Sequence, residues 1–94
     1  MKTTHAVCWA DFDPGTRYYS AVFDGTKGDY AQWMPGFKAF LNLKYRYTGR
    51  VRCTKKPSKA EAQKYWDDMV AAARGITLAG GAKPRIVETG WAYP

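Results

Sequence analysis

"HAVCWADFDPGTRYYSAVF", residues 5–23, is the stretch on which the fold turns. Its first part, residues 5–12, mixes β-branched, aromatic and small side chains and reads as a strand. "DPGT", residues 13–16, reads as a turn, because proline presets φ and glycine tolerates the left-handed conformation. Residues 17–23 then read as the returning strand. The pair is a hairpin with a loop of about four residues.

Outward from the hairpin, "DGTKGD" (24–29) breaks the pattern. Tyr30, Trp33, Met34, Phe37, Phe40 and Leu41 recur at helical spacing, which predicts a helix running to about Tyr45. Pro35 and Gly36 interrupt its first turns, and proline inside a helix costs roughly 3 kcal/mol. Regular helix is therefore expected to begin near Met34 or to bend there. "YTGRVRCT" (47–54) follows as a short strand after a glycine turn. Residues 57–75 form the clearest element: Ser58 and Glu61 make a capping box with Pro57 just outside it. Ala62, Tyr65, Trp66, Met69 and Ala73 supply its apolar face, and Gly75 is its natural stop. An apolar loop (76–84) leads to a final strand at 85–93. The order ββαβαβ predicts one α+β domain over residues 1–94, a four-stranded sheet with two helices packed on one face.

With 94 residues, 46% of them hydrophobic and 16% aromatic, the chain is a small globular domain and not a disordered one. No apolar run approaches the roughly 20 residues of a membrane span. "MKTTHAVCWADF" lacks the long apolar core of a signal peptide, so the chain is expected to be cytosolic or a mature domain without its export signal. Repeats, linkers and low-complexity tracts are absent from the sequence.

The formal charge of +7 is concentrated. Between Asp29 and Glu61 there is no acid, but there are eight basic residues: Lys38, Lys44, Arg46, Arg50, Arg52, Lys55, Lys56 and Lys59. Such asymmetry speaks about partners, not about fold. Along the third strand Val51 and Cys53 alternate with Arg50, Arg52 and Thr54, so one face belongs to the core and the other presents guanidiniums. If the outer sheet face is open, Trp9, Tyr18, Trp91 and Tyr93 lie within reach of those arginines. Arginines and aromatics on an open sheet are the ingredients of a single-strand nucleic-acid platform, where each base stack is worth roughly 1–3 kcal/mol. The expected anion-binding set is Arg46, Arg50, Arg52, Lys55, Lys56 and Lys59. The plainer reading makes Lys38, Lys44 and Arg46 a solvated helix face and most of the aromatics core, with Trp91 and Tyr93 pinning the last strand.

Other chemistry is poorly provided for. Cys8 and Cys53 sit in the first and third strands and are either a disulfide or two buried thiols. With His5 they lack zinc-ligand spacing, and His5 is the sole histidine. Asp11 and Asp13 flank a turn, while Asp67 and Asp68 diverge on their helix. No phosphate-binding glycine motif is present. The sequence indicates no enzyme, no cofactor and no metal.

Val7 and Trp9 around Cys8, "KYRYTGRVRC" (44–53), "AEAQKYWDDMVAAAR" (60–74) and "VETGWAY" (87–93) together resemble a small bacterial domain of exported proteins to which no activity is assigned. The resemblance covers nearly the whole chain. It implies an extracytoplasmic, periplasmic-type setting and a paired Cys8 and Cys53; it carries over no catalytic residue. Two functional expectations follow. One is a non-catalytic module holding an anionic polymer, most simply single-stranded nucleic acid. The other is an extracytoplasmic disulfide-stapled interaction domain that binds a protein or a cell-envelope polymer.

Overall fold

The computed structural model describes residues 4–10 and 15–94. Asp11, Asp13 and the first half of the "DPGT" turn lie outside the described residues. The elements are β1 (His5–Ala10), β2 (Thr16–Tyr19), β3 (Phe23–Asp24), α1 (Tyr30–Tyr45), β4 (Arg52–Lys56), α2 (Lys59–Arg74) and β5 (Arg85–Glu88). Two helices and one mixed sheet make the domain α+β, as the sequence indicates.

The centre of the sheet is β1. On one side it pairs antiparallel with β4 from His5↔Lys56 to Trp9↔Arg52. Its other side is shared end to end by β2, through Trp9↔Tyr19, and β3, through Ala6↔Phe23. The returning strand expected at 17–23 is therefore real but broken, which gives five strands in four lanes. The break is a β-bulge: three steps along β1, from Trp9 to Ala6, face four steps from Tyr19 to Phe23. Ser20 manages the extra residue. Its N–H donates to the Cys8 carbonyl, and its Oγ accepts the Cys8 N–H, both at 2.8 Å. The Ser20 carbonyl, turned out of the ladder, accepts the Trp66 indole N–H at 2.8 Å. β5 closes the far side, parallel to β2.

The helices do not share a face. Ala6, Cys8, Ala10 and Tyr18 pack with Trp33, Phe37 and Leu41 of α1. The alternate residues turn the other way, where Trp9, Tyr19 and Ile86 pack with Trp66, Met69, Val70 and Ala73 of α2. This corrects the expected placement of both helices on one face. The reason is β1 itself: Ala6 through Cys8 and Ala10 are all buried, and a strand apolar on both sides needs a cover on both. One helix can cover only one.

Local capping sets the helix limits. Asp29 accepts the Ala31 N–H, and Gln32 Oε1 accepts the Asp29 N–H, so α1 starts at Tyr30 and runs through Pro35 without waiting for Met34. α2 starts at the expected box, where Ser58 Oγ accepts the Glu61 N–H. The "VETGWAY" segment is strand only to Glu88. Beyond it, Trp91 lies 5.5 Å from Phe23 and 5.2 Å from Phe37 between ring centroids, so it anchors the tail on the α1-side core.

Cys8 and Cys53 are directly opposite and bonded, with Cα atoms 4.0 Å apart. The main-chain groups of Cys8 point at Ser20, so towards β4 it forms a non-hydrogen-bonded pair, the closer of the two antiparallel geometries. The bridge spans a sequence separation of 45 residues. Replacing both cysteines by alanine is expected to lower stability by about 2–4 kcal/mol, read as a fall in the urea midpoint relative to the oxidised protein. Ser20→Ala leaves the buried Cys8 N–H without its acceptor, and the same assay should show a loss of about 1–3 kcal/mol.

Candidate functional site: the basic edge strand

β4 is an edge. Among the described residues it pairs with no strand but β1. Its sequence, "RCTKK", carries the charges that natural edges use to avoid pairing with other chains. The basic third of the sequence thus converges on this strand and its flanks, and alternation divides it between two faces.

Cys53 and Lys55 lie on the α1 side. Lys55 Nζ sits 5.7 Å above the Trp33 ring, and the Lys55 N–H donates to the Tyr30 hydroxyl at 3.2 Å. Next to them a shallow groove of about 350 Å³ is lined by Met34, Pro35, Lys38, Arg50 and Val51. Its floor is apolar, its two charged residues are cations, and it contains no acid. Arg52 and Lys56 lie on the α2 side, Arg52 opposite Trp9 and Lys56 Nζ 4.6 Å above the Tyr65 ring. There the neighbouring groove, about 370 Å³, also holds Glu61 and Asp68. Carboxylates on the wall weaken that side for an anion, so the α1 side has the stronger positive field.

The expected anion-binding residues are therefore only partly together. Arg50, Arg52, Lys55 and Lys56 belong to the edge. Arg46 stands at the end of α1, and Lys59 lines a different groove with Gln63, Trp66 and Glu88. Lys38, which the sequence places on a solvated helix face, joins the edge because it follows Met34 by one turn. None of Arg46, Arg52, Lys55, Lys56 or Lys59 pairs with a described carboxylate; Lys64 and Asp68 form an exposed ion pair on α2 at 3.1 Å.

The aromatic residues of the expected platform all take part in packing. Tyr18 is buried between Tyr45 and Tyr47, at centroid distances of 5.1 and 5.3 Å. Trp9 lies under α2 against Tyr65, and Trp91 and Tyr93 pack against the α1-side core. α1 covers one face of the sheet and α2 the other, and Trp9, Trp91 and Tyr93 are half-buried in those contacts.

The bonded sulfurs of Cys8 and Cys53 offer no thiolate to a metal or a substrate. Among the described residues no group of three His, Cys, Asp or Glu side chains is placed to hold a metal ion. The Thr26 N–H, then its hydroxyl, hold the Asp24 carboxyl below its ordinary value; this is a cap of the turn that follows β3. Comparison with family models, curated proteins and solved structures finds no match to the chain.

One basic residue is strained. Arg46 caps α1 in the left-handed region at φ 58°, its N–H donating to the Asn42 carbonyl at 3.0 Å. For a residue with a Cβ that conformation costs about 1–2 kcal/mol, which glycine avoids. Arg46→Gly is expected to raise stability by about 1 kcal/mol in chemical denaturation.

Proposed function

We propose that this domain is a non-catalytic binding module that holds an anionic partner by charge along the β4 edge. One observation carries the reading. The acid-free basic segment becomes an edge strand and its flanks; on the α1 side Lys38 and Arg50 line an apolar groove with no acid in its lining, and Lys55 lies over Trp33 on the same side. Phosphate or carboxylate groups are what such a surface neutralises.

The disulfide favours an oxidising compartment for this activity, since such bonds persist outside the reducing cytosol. The resemblance to domains of exported proteins points the same way. The partner is then a protein or envelope polymer met outside the cytoplasm. Single-stranded nucleic acid remains a ligand for the same cations through its phosphates, but not through base stacking, because Trp9, Tyr18, Trp91 and Tyr93 support the core.

This reading separates two optical signals. A dye-labelled oligo-dT titrated with the protein at about 50 mM salt should show an anisotropy rise, with little quenching of tryptophan fluorescence. Affinity should fall with salt at a slope of about −0.7 per phosphate contact. The Lys38→Ala/Arg50→Ala/Lys55→Ala variant should reduce that slope by about 2. A salt-independent affinity, or strong tryptophan quenching by stacked bases, contradicts charge-only binding.

A further inference from the structure

We propose that the anionic partner of the β4 edge is an extended acidic polypeptide segment, which adds to the sheet as one more strand beside Cys53. This deepens the charge reading above and rests on it.

Backbone geometry sets what this edge offers a partner. Residues of an edge strand alternate between groups turned to the sheet and groups turned outward. Cys8–Cys53 is a non-hydrogen-bonded pair, so the N–H and C=O of Cys53 point away from β1. Two residues on, Lys55 confirms the phase, for its N–H reaches outward to the Tyr30 hydroxyl. The edge therefore offers a donor and an acceptor at Cys53 and an acceptor at Lys55. Tyr30 marks the end of the available stretch, and the disulfide ties the strand to β1.

An apolar groove lies beside those groups. The Met34, Pro35, Lys38, Arg50 and Val51 groove borders the start of β4 on the α1 side. Met34 is 37% exposed, high for a large apolar side chain. An added strand would lay alternate side chains over this groove, an apolar one on Met34 and Val51 and acidic ones against Lys38, Arg50 and Lys55. Strand addition takes its affinity from main-chain bonds and its specificity from such alternate pockets.

Charge decides the occupant. Two copies of this chain meeting edge to edge would set Arg52, Lys55 and Lys56 against the same residues, and like charges directly opposite are destabilising. A partner rich in Asp or Glu removes that penalty and gains from it. A nucleic acid would satisfy the cations but has no row of amide donors and carbonyl acceptors for Cys53.

The test compares three probes on the intact oxidised protein: a labelled octapeptide whose alternate positions carry glutamate, valine, glutamate and glutamate with threonine between them, the same peptide N-methylated at alternate residues in each of the two frames, and oligo-dT of equal charge. The expected result is that one methylated frame binds at least about tenfold more weakly than the parent. The parent should also slow hydrogen exchange at the Cys53 amide by a similar factor. Equal binding of parent and both methylated frames overturns strand addition while leaving charge-based binding intact. Tighter binding of oligo-dT than of the peptide, with no protection at Cys53, overturns it in favour of nucleic acid. Failure of every probe at about 50 mM salt overturns both readings.

Discussion

Everything in this fold depends on a six-residue strand being buried from four directions. β1 has β4 on one side, the bulged β2/β3 lane on the other, α1 on one face and α2 on the opposite face. A chain of 94 residues has little surface to spare for such a core. It therefore uses small side chains, Ala6, Cys8 and Ala10, where α1 must come close with Trp33, Phe37 and Leu41. The bridge to Cys53 fixes the edge strand, and Ser20 fixes the bulge, from the same residue of β1. Cys8 thus holds both neighbours at once, one covalently and one through its main chain.

Much of this was legible in the residues. Helical spacing and the Ser58/Glu61 box located α2, and the alternation of Val51 and Cys53 placed the second cysteine towards a core. The order of elements followed from these. The arrangement of the helices did not, although a signal existed: "HAVCWA" has no polar residue between Ala6 and Ala10, whereas a strand with one wet face alternates. Asp29 and Gln32 likewise form an acidic variant of the capping box that overrides Pro35, a signal as local as the one at Ser58. The bulge was not legible, because Ser20 looks like any polar residue in a strand until its three hydrogen-bonding neighbours are known.

The candidate site divides in the same way. Composition located the positive charge, since that needs only counting. It did not show that α2 brings Glu61 and Asp68 close to Lys56 while the groove on the α1 side has no acid in its lining, nor that Lys38 joins that groove. The aromatics misled for a physical reason. Trp and Tyr serve a core as readily as a binding ledge: large rings of α1 fill the space over Ala6, Cys8 and Ala10, and Trp9 itself fills the α2 side. The basic residues also have a structural task, because an unpaired edge without charge invites aggregation. Protection of the edge and recognition of an acidic partner are compatible: the same lysines that repel a second copy attract a chain of opposite charge.

The most direct test of this account is a nuclear Overhauser map of the β1 side chains in the oxidised protein. With helices on opposite faces, Trp9 should show contacts to the ring of Tyr65 in α2, and Ala6 and Cys8 should show contacts to Trp33 and Phe37 in α1, with no β1 side chain contacting both helices. Contacts from α1 and α2 to the same β1 residues would put both helices on one face, restore an open sheet surface, and contradict the assignment of the β4 edge as the binding site.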